Sequence, residues 1–282
     1  MSDGPDAPAP IVHPLRDLAA WTAHFQRAEI PVLEHTAQAL EALRAHEDED
    51  AVDANLIGET VAADPLMTLK VLAHASTHRS ARVVTDVETV TGAVVMMGIS
   101  PFFRAFGPQP TAQERLAPMP QALEGLEDTL RRAHRGATFA LGFAVHRMDH
   151  DAAVIHTAAL LHDFAEMLLW CHAPALALRI RGAQRADPTL RSNVAQRAAL
   201  NIELPDLQQA LMKAWRLPEL LIRISDDRHA DNASVRSVAL AVRLARHTAG
   251  GWDNAAIPDD ISDIANLLNL SQAAALQLVR EI

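Results

Sequence analysis

The sequence predicts an all-α protein arranged as two helical lobes. Apolar residues recur every three or four positions along most of the 282-residue chain, and no segment alternates apolar and polar residues as a strand does. Hydrophobic residues make up 49% and charged residues 21% of the chain, a composition typical of a globular protein. A chain of this length can bury a large core, or form two helical lobes that share an interface.

Helix-start signals mark the elements of the first half. An amphipathic helix is predicted after Ile30-Pro31. Asp64-Pro65 is a typical helix start, because the carboxylate can cap the helix and proline is favoured in the first turn. Thr85-Asp-Val-Glu88 is interpreted as a capping box before a helix at Val90–Met97, which Gly98 ends.

The helical pattern continues through the second half. A long helix at 121–147 precedes the apolar helix that contains His162-Asp163, and further helices are predicted near 190–201, 205–216, 218–228, 233–249 and 258–282. Gly107-Pro-Gln-Pro110 interrupts the pattern and is interpreted as the lobe boundary. The predicted organisation is a disordered tail at 1–14, an N-terminal lobe at 15–110 and a C-terminal lobe at 111–282.

Charge and cysteine content exclude several classes of function. The net charge is −10, and the 25 basic residues are 23 arginines and two lysines. Since an acidic chain repels polyanions, no membrane partner is predicted and nucleic-acid binding is disfavoured. One cysteine rules out an intrachain disulfide, and the sequence has neither a continuous apolar run of ~18 residues nor a signal-peptide pattern at its start. These features predict a soluble, cytoplasmic protein.

The adjacent pair His162 and Asp163 is the main candidate for a functional site. It interrupts the apolar run from Ala158 to Trp170, where an unpaired charge would be costly. Neighbouring side chains on a helix lie about 100° apart, so both can converge on one point in a groove, where imidazole and carboxylate can together hold a divalent metal. The alternative is that Asp163 only pairs with a basic residue of a neighbouring helix.

Five motifs occur in order from about Ile30 to Ala249. They are Ile30-Pro31-Val32-Leu33, Asp64-Pro65-Leu66-Met67 with Ser76-Thr77, Asp86–Gly98, Leu160–Asp163 and Trp215-Arg-Leu-Pro218. Together they resemble the HDOD domain, a divergent relative of the HD superfamily of metal-dependent phosphohydrolases. The resemblance implies a two-lobed helical protein whose second lobe is an HD-like bundle, and a function in bacterial signal transduction.

The resemblance also implies where HD-type metal ligands would lie. His134 stands at the position of the first histidine, and His162 with Asp163 at that of the His-Asp pair, but Arg246 occupies the position expected for the last carboxylate. A fixed positive charge there repels a divalent cation and can pair with Asp163. These four residues are therefore predicted to be the degenerate remnant of an HD metal site. No catalytic residue, bound metal or cofactor is predicted. If a metal did bind, its ligands would be His134, His162 and Asp163.

The implied function is a regulatory protein of the HDOD type with a degenerate HD site. It would bind a partner protein of a signalling pathway, or a small signalling ligand, in the groove between the lobes. The alternative is a metal-dependent phosphohydrolase acting on a nucleotide or cyclic (di)nucleotide, which a carboxylate at position 246 would favour.

Two groups of residues are candidates for the ligand or partner surface. Phe102, Phe103 and Phe106 directly precede the predicted lobe boundary, where a partner helix or loop could dock. Arg228 and His229 follow the Trp-x-Leu-Pro turn, where relatives carry paired histidines. The alternative for the three phenylalanines is that their rings only pack the lobes together.

Overall fold

The computed structural model describes residues 9–47, 52–78 and 88–282. Within these ranges every extended regular element is a helix, and β-type pairing is limited to one isolated bridge between Val32 and Thr111. The predicted all-α class is thereby confirmed. The first seven helices are α1 Leu18–Phe25, α2 Glu34–Arg44, α3 Ala54–Ala62, α4 Pro65–Thr77, α5 Val90–Met97, α6 Ile99–Ala105 and α7 Ala112–Leu116.

The remaining helices form a larger bundle around the long helix α8. They are α8 Pro120–His146, α9 Ala152–Leu160, α10 Phe164–His172, α11 Pro174–Ala186, α12 Ser192–Leu200, α13 Leu204–Ala214, α14 Glu219–Ile224, a 3₁₀ turn Asp227–His229, α15 Ala233–His247, α16 Ile257–Leu268 and α17 Gln272–Glu281. Helix α8 packs against α9, α10 and α15. Because a helix buries one face, the small and apolar residues along α8 point into this bundle and its charged residues point outward.

Asp64 shows how a capping residue positions two helices at once. One of its oxygens accepts hydrogen bonds from the backbone N–H groups of Leu66 and Met67 at the start of α4. The other accepts from the N–H of Leu33, 2.7 Å away, just before α2. Burial raises the pKa of Asp64, although these donors oppose the shift. The predicted start of α4 is therefore correct, and the same carboxylate also ties α2 to α4.

The predicted helix at Val90–Met97 is correct, but its N-cap differs from the predicted capping box. Thr85, the first residue of the predicted capping box, lies outside the described residues. The N-cap is Thr89, whose hydroxyl accepts a hydrogen bond from the N–H of Gly92, so the helix begins at Val90 without Glu88 as part of its cap. The predicted end is correct, because Gly98 adopts φ +82°, a conformation that glycine reaches at little cost.

Two hydrophobic clusters follow the two-lobed pattern, with exceptions at the N-terminus. The smaller cluster is built by α2–α6, and the larger by α8–α17 together with α1, α7 and one face of α4. Helix α1 was predicted in the N-terminal lobe, but its Trp21 donates from Nε1 to the carbonyl of Leu200, 2.9 Å away. The predicted tail is wrong for residues 9–14, since the N–H of Ile11 donates to the carbonyl of His172 at 2.8 Å.

The predicted helix around His162-Asp163 is two helices. Helix α9 ends at Leu160 and α10 begins at Phe164, so residues 161–163 form a turn between them. Within this turn His162 Nδ1 lies 2.9 Å from Asp163 Oδ1. The segment Ala152–His172 is long and apolar enough to cross a membrane by length and composition alone, yet 67% of its most apolar window is buried in the fold.

Candidate functional site

A cleft of about 720 Å³ opens within the C-terminal lobe. It lies between α8, α10 and α15 on one side and α11–α13 with the segment Ser225–Arg228 on the other. The predicted groove between the two lobes is thus not where this cleft lies. Its lining is strongly charged, with four arginines and His162 facing seven carboxylates: Asp128, Asp163, Glu166, Glu203, Asp206, Asp226 and Asp227.

His162 lies at the centre of the charged lining, and carboxylates contact both of its ring nitrogens. Nδ1 lies 2.9 Å from Asp163 Oδ1, and Nε2 lies 3.2 Å from Asp227 Oδ2. Burial works against the charged ring, but hydrogen bonds and negative charge from the two aspartates outweigh it and raise the pKa of His162 to about 9. The ring is therefore an imidazolium at neutral pH, and both N–H groups donate.

Asp163 is held by His162 on one side and Arg246 on the other. The guanidinium Nη2 of Arg246 lies 3.4 Å from both carboxylate oxygens, so the contact expected from the sequence is present. Burial opposes ionisation of Asp163, but the charge of Arg246 and the hydrogen bond from His162 hold its pKa well below the usual range. The Arg246 side chain remains 53% exposed, so it can also meet a ligand in the cleft.

His134 does not join this group, contrary to the sequence-based prediction. It lies on α8 but does not line the cleft, and its electrostatic neighbours are Asp64 and His35. Residues two positions apart on a helix point in nearly opposite directions, and it is Arg132 that faces the cleft. Burial lowers the pKa of His134, as expected for a histidine packed near the other lobe.

A second polar layer that the sequence did not predict lies beside the His-Asp turn. Arg132 Nη2 lies 3.1 Å from both oxygens of Glu166. Glu166 Oε1 also accepts from Thr129 Oγ1 at 3.0 Å and from Trp170 Nε1 at 3.3 Å. The signal for it was the position of Glu166, an acidic residue in the otherwise apolar first turn of α10.

Of the two predicted surface residues after the Trp-x-Leu-Pro turn, one lines the cleft. Arg228 is at the rim, where its Nε lies 3.0 Å from Asp226 Oδ1 and its Nη2 lies 3.9 Å from Asp206 Oδ1. His229 is exposed outside the cleft, with Nδ1 3.4 Å from Asp226 Oδ2. Arg228 and its two neighbouring aspartates, Asp206 and Asp226, therefore form this part of the rim.

The phenylalanines predicted as a docking surface are core residues. Phe102, Phe103 and Phe106 are all buried, and the Phe102 ring centroid lies 5.4 Å and 5.0 Å from those of the other two. They belong to the smaller hydrophobic cluster, where large apolar rings gain most from removal from water. The prediction of a partner surface on these rings is wrong, and they do not pack the two lobes together either.

The residues at the His-Asp turn do not fit a divalent metal of the HD type. Within residues 9–47, 52–78 and 88–282, no three His, Cys, Asp or Glu side chains are grouped to hold a metal ion. The carboxylate of Asp163 also pairs with the guanidinium of Arg246, whose fixed positive charge repels a divalent cation. The arrangement can bind charged or hydrogen-bonding groups.

Comparisons with known proteins give the family and the fold. A family model described as HDOD domain matches residues 30–230. The MmoQ response regulator from Methylococcus capsulatus str. Bath has a similar structure, with a TM-score of 0.65 and 18% identity over 89% of this chain and 98% of that one. A virulence factor from Campylobacter jejuni subsp. jejuni gives 0.63 and 16% over 93% and 92%.

A third similar structure is an HDOD domain protein with unknown function from Geobacter sulfurreducens. Its TM-score is 0.50 at 14% identity, over 94% of this chain and 93% of that one. No curated protein matches the chain in sequence. At such identities the shared feature is the helical fold, and the cleft residues have to be interpreted from this chain alone.

Proposed function

Because the chain belongs to the HDOD family, we propose that it is a regulatory protein of signal transduction. It would act by binding a partner protein or a small signalling ligand. The similar fold of a protein named as a response regulator supports the signalling context. Fold alone does not determine function, so the proposal depends on the site.

One observation carries the proposal: carboxylates lie within hydrogen-bond distance of both ring nitrogens of His162, and Arg246, which also lines the cleft, pairs with Asp163. Metal-dependent hydrolysis needs ligand lone pairs and a metal-bound water. Here both ring nitrogens of His162 and the carboxylate of Asp163 are already engaged by other side chains of the protein. A closed ion-pair network beside a roomy cleft favours recognition over turnover.

Metal content and hydrolysis distinguish binding from the phosphohydrolase alternative. Purified full-length protein is expected to contain no stoichiometric Fe, Mn, Zn or Mg, and to hydrolyse bis(4-nitrophenyl) phosphate no faster than buffer when these metals are added. The matched variant is His162→Ala, which should change neither result. One metal ion per chain, together with metal-dependent turnover that His162→Ala abolishes, would support the enzyme and overturn the proposal.

Site-specific crosslinking tests whether the cleft is the binding surface. A photoreactive p-benzoyl-phenylalanine at position 228 lies on the cleft rim, and one in place of Asp259, an exposed residue of α16, lies outside the cleft. In the cell that makes the protein, position 228 is expected to give a specific adduct that position 259 does not. Identical adducts at both positions, or none at 228, would contradict binding at the cleft.

A further inference from the structure

We propose that one wall of the cleft binds an organic cation, namely an alkylammonium or guanidinium group of a small molecule or of a partner's side chain. This wall comprises Asp206, Gln209, Ser225 and Asp227. The inference rests on the proposed function, because it takes the cleft as the binding site, and it adds the chemical class of the group bound there.

The charge balance of the lining favours a cation. Seven carboxylates face four arginines and His162, so the lining is net negative whether or not the His162 ring is protonated. All four arginines are already engaged, since Arg132 pairs with Glu166, Arg181 with Asp128, Arg228 with Asp226, and Arg246 with Asp163. An incoming anion would have to displace these carboxylates, whereas a cation meets charge that is still available.

Asp206 and Asp227 are the two cleft carboxylates with most unused capacity. The Asp206 side chain is 50% exposed, and among the described residues its one cation contact within 4 Å is Arg228 Nη2 at 3.9 Å, beyond hydrogen-bond distance. Asp227 is 55% exposed and contacts only the Nε2 of His162 among the described cations. A carboxylate has about four lone-pair sites, so both can accept further N–H donors.

Two buried side chains that line the same wall each have an oxygen without a hydrogen-bond donor. Gln209 lies one turn after Asp206 on α13, is 5% exposed and lines the cleft. Its Nε2 donates to the carbonyls of Ser225, at 3.1 Å, and Ile222, at 3.5 Å, which fixes the orientation of the amide. Its Oε1 and the hydroxyl of Ser225 have no hydrogen-bond partner.

Unsatisfied buried acceptors are uncommon in folded proteins and call for a partner. A ligand with several N–H donors and a positive charge would meet the aspartates directly. It would also bring donors to the side of the cleft where these acceptors lie. Guanidinium and ammonium groups have this combination, because they carry charge and several donors but no acceptor.

Isothermal titration calorimetry of the full chain tests the proposal with agmatine, which carries a guanidinium and an ammonium on a four-carbon chain. Agmatine is expected to bind, and neutral 1,4-butanediol is not. Asp206→Asn removes one charge and should weaken agmatine binding by about tenfold, the loss typical of a charged hydrogen bond. The peptide acetyl-Gly-Arg-Gly-amide separates the sources: its binding indicates a partner's arginine, and its exclusion indicates a free small cation.

Asp259→Asn provides a matched control for Asp206→Asn. Asp206 is the third residue of α13 in Leu204-Pro205-Asp206, and Asp259 is the third residue of α16 in Ile257-Pro258-Asp259, outside the cleft. Both variants should keep the helical circular-dichroism signal, but only Asp206→Asn should weaken binding.

Absence of binding by both agmatine and the peptide would overturn the cation proposal, as would equal affinities for the two variants. Neither result would change the outcome of photocrosslinking at position 228, so the proposed function is tested independently of the cation proposal.

Discussion

His162 Nε2 lies 3.2 Å from Asp227 Oδ2 and thereby ties the turn between α9 and α10 to the 3₁₀ turn that follows α14. These two turns are far apart in sequence and form adjacent parts of the cleft lining. The bond needs the proton on Nε2, and Asp163 keeps the ring charged from the other side. His162 therefore links the two turns through its contacts with Asp163 and Asp227.

The first prediction is that stability falls as pH rises from about 6.5 to about 9. The folded-state pKa of His162 is raised to about 9 from an ordinary value of 6.5. The free energy of unfolding therefore includes a contribution that is complete below pH 6.5 and lost as pH rises through 9, on the order of 3 kcal/mol. Urea denaturation between pH 6.5 and 9 measures it, and His162→Gln should remove the dependence.

The pH window isolates His162 from other titrating groups in the core. His172 has its pKa lowered to about 3 by burial and the charge of Arg115, so it is neutral throughout. Burial raises the pKa of Cys171 to about 12, and its effect on stability begins only near pH 9, where the unfolded thiol ionises. A wild-type stability that does not vary between pH 6.5 and 9 would show that His162 is not charged in the folded state.

The second prediction is that Asp163→Asn destabilises the protein by about 2–3 kcal/mol, because it leaves His162 and Arg246 facing a neutral group. For a chain of this size the melting temperature should fall by roughly 5 °C. Adding Arg246→Met should recover only part of the loss, since Arg246 is half exposed and its charge is partly solvated.

Calorimetric melting of both variants checks the second prediction, with the exposed Asp253→Asn as a control. An unchanged melting temperature in Asp163→Asn would mean that the carboxylate does not contribute to folding. Full recovery in the double variant would mean that Arg246, and not His162, is the main partner of Asp163.

The helical class and most helix starts were predictable because they depend on local signals. Asp64-Pro65 caps and begins α4 as its residue types require, and Gly98 ends α5 at positive φ. The family resemblance could be recognised for a related reason, because its motifs lie at helix starts and at turns between helices. The contact between Asp163 and Arg246 was predictable because the family pattern places Arg246 at the position of a ligand, and a buried carboxylate needs a cation nearby.

The composition of the site could not be obtained from the sequence in the same way. The prediction for His134 depended on its position in the family pattern, whereas the rotation of α8 about its axis turns Arg132 toward the cleft. The break between α9 and α10 was missed because apolar residues continue on both sides of it. Asp227 joins the site from a turn 65 positions away, a contact that only tertiary packing determines.

The third prediction concerns the phenylalanines that the sequence placed on the surface. Phe102 is fully buried, so Phe102→Ala should cost about 3–5 kcal/mol of unfolding free energy through lost burial and a cavity. The effect is measurable by chemical denaturation. Val95→Ala, at an exposed position of α5, is the control and should change stability by less than about 0.5 kcal/mol. A small loss in Phe102→Ala would show that the ring is accessible after all.

The fourth prediction contrasts two helical glycines, Gly125 and Gly182. Alanine normally stabilises a helix by about 1 kcal/mol relative to glycine. At Gly182 on α11 nothing lies within 4 Å of an added Cβ, so Gly182→Ala should stabilise the protein by about 0.5–1 kcal/mol. At Gly125 on α8 the added Cβ would lie 2.4 Å from the Trp170 ring, which cannot move without losing its hydrogen bonds to Thr129 and Glu166.

Overpacking of this kind costs about 1–3 kcal/mol and exceeds the gain in helix propensity, so Gly125→Ala should be destabilising overall. Because Gly125 and Trp170 both line the cleft, the same variant should also disturb the Arg132–Glu166 layer. Urea denaturation and near-ultraviolet circular dichroism of tryptophan measure the two effects. Equal stabilisation by both alanines would show that the Trp170 ring is free to shift, and that α8 does not meet α10 as closely as the structure indicates.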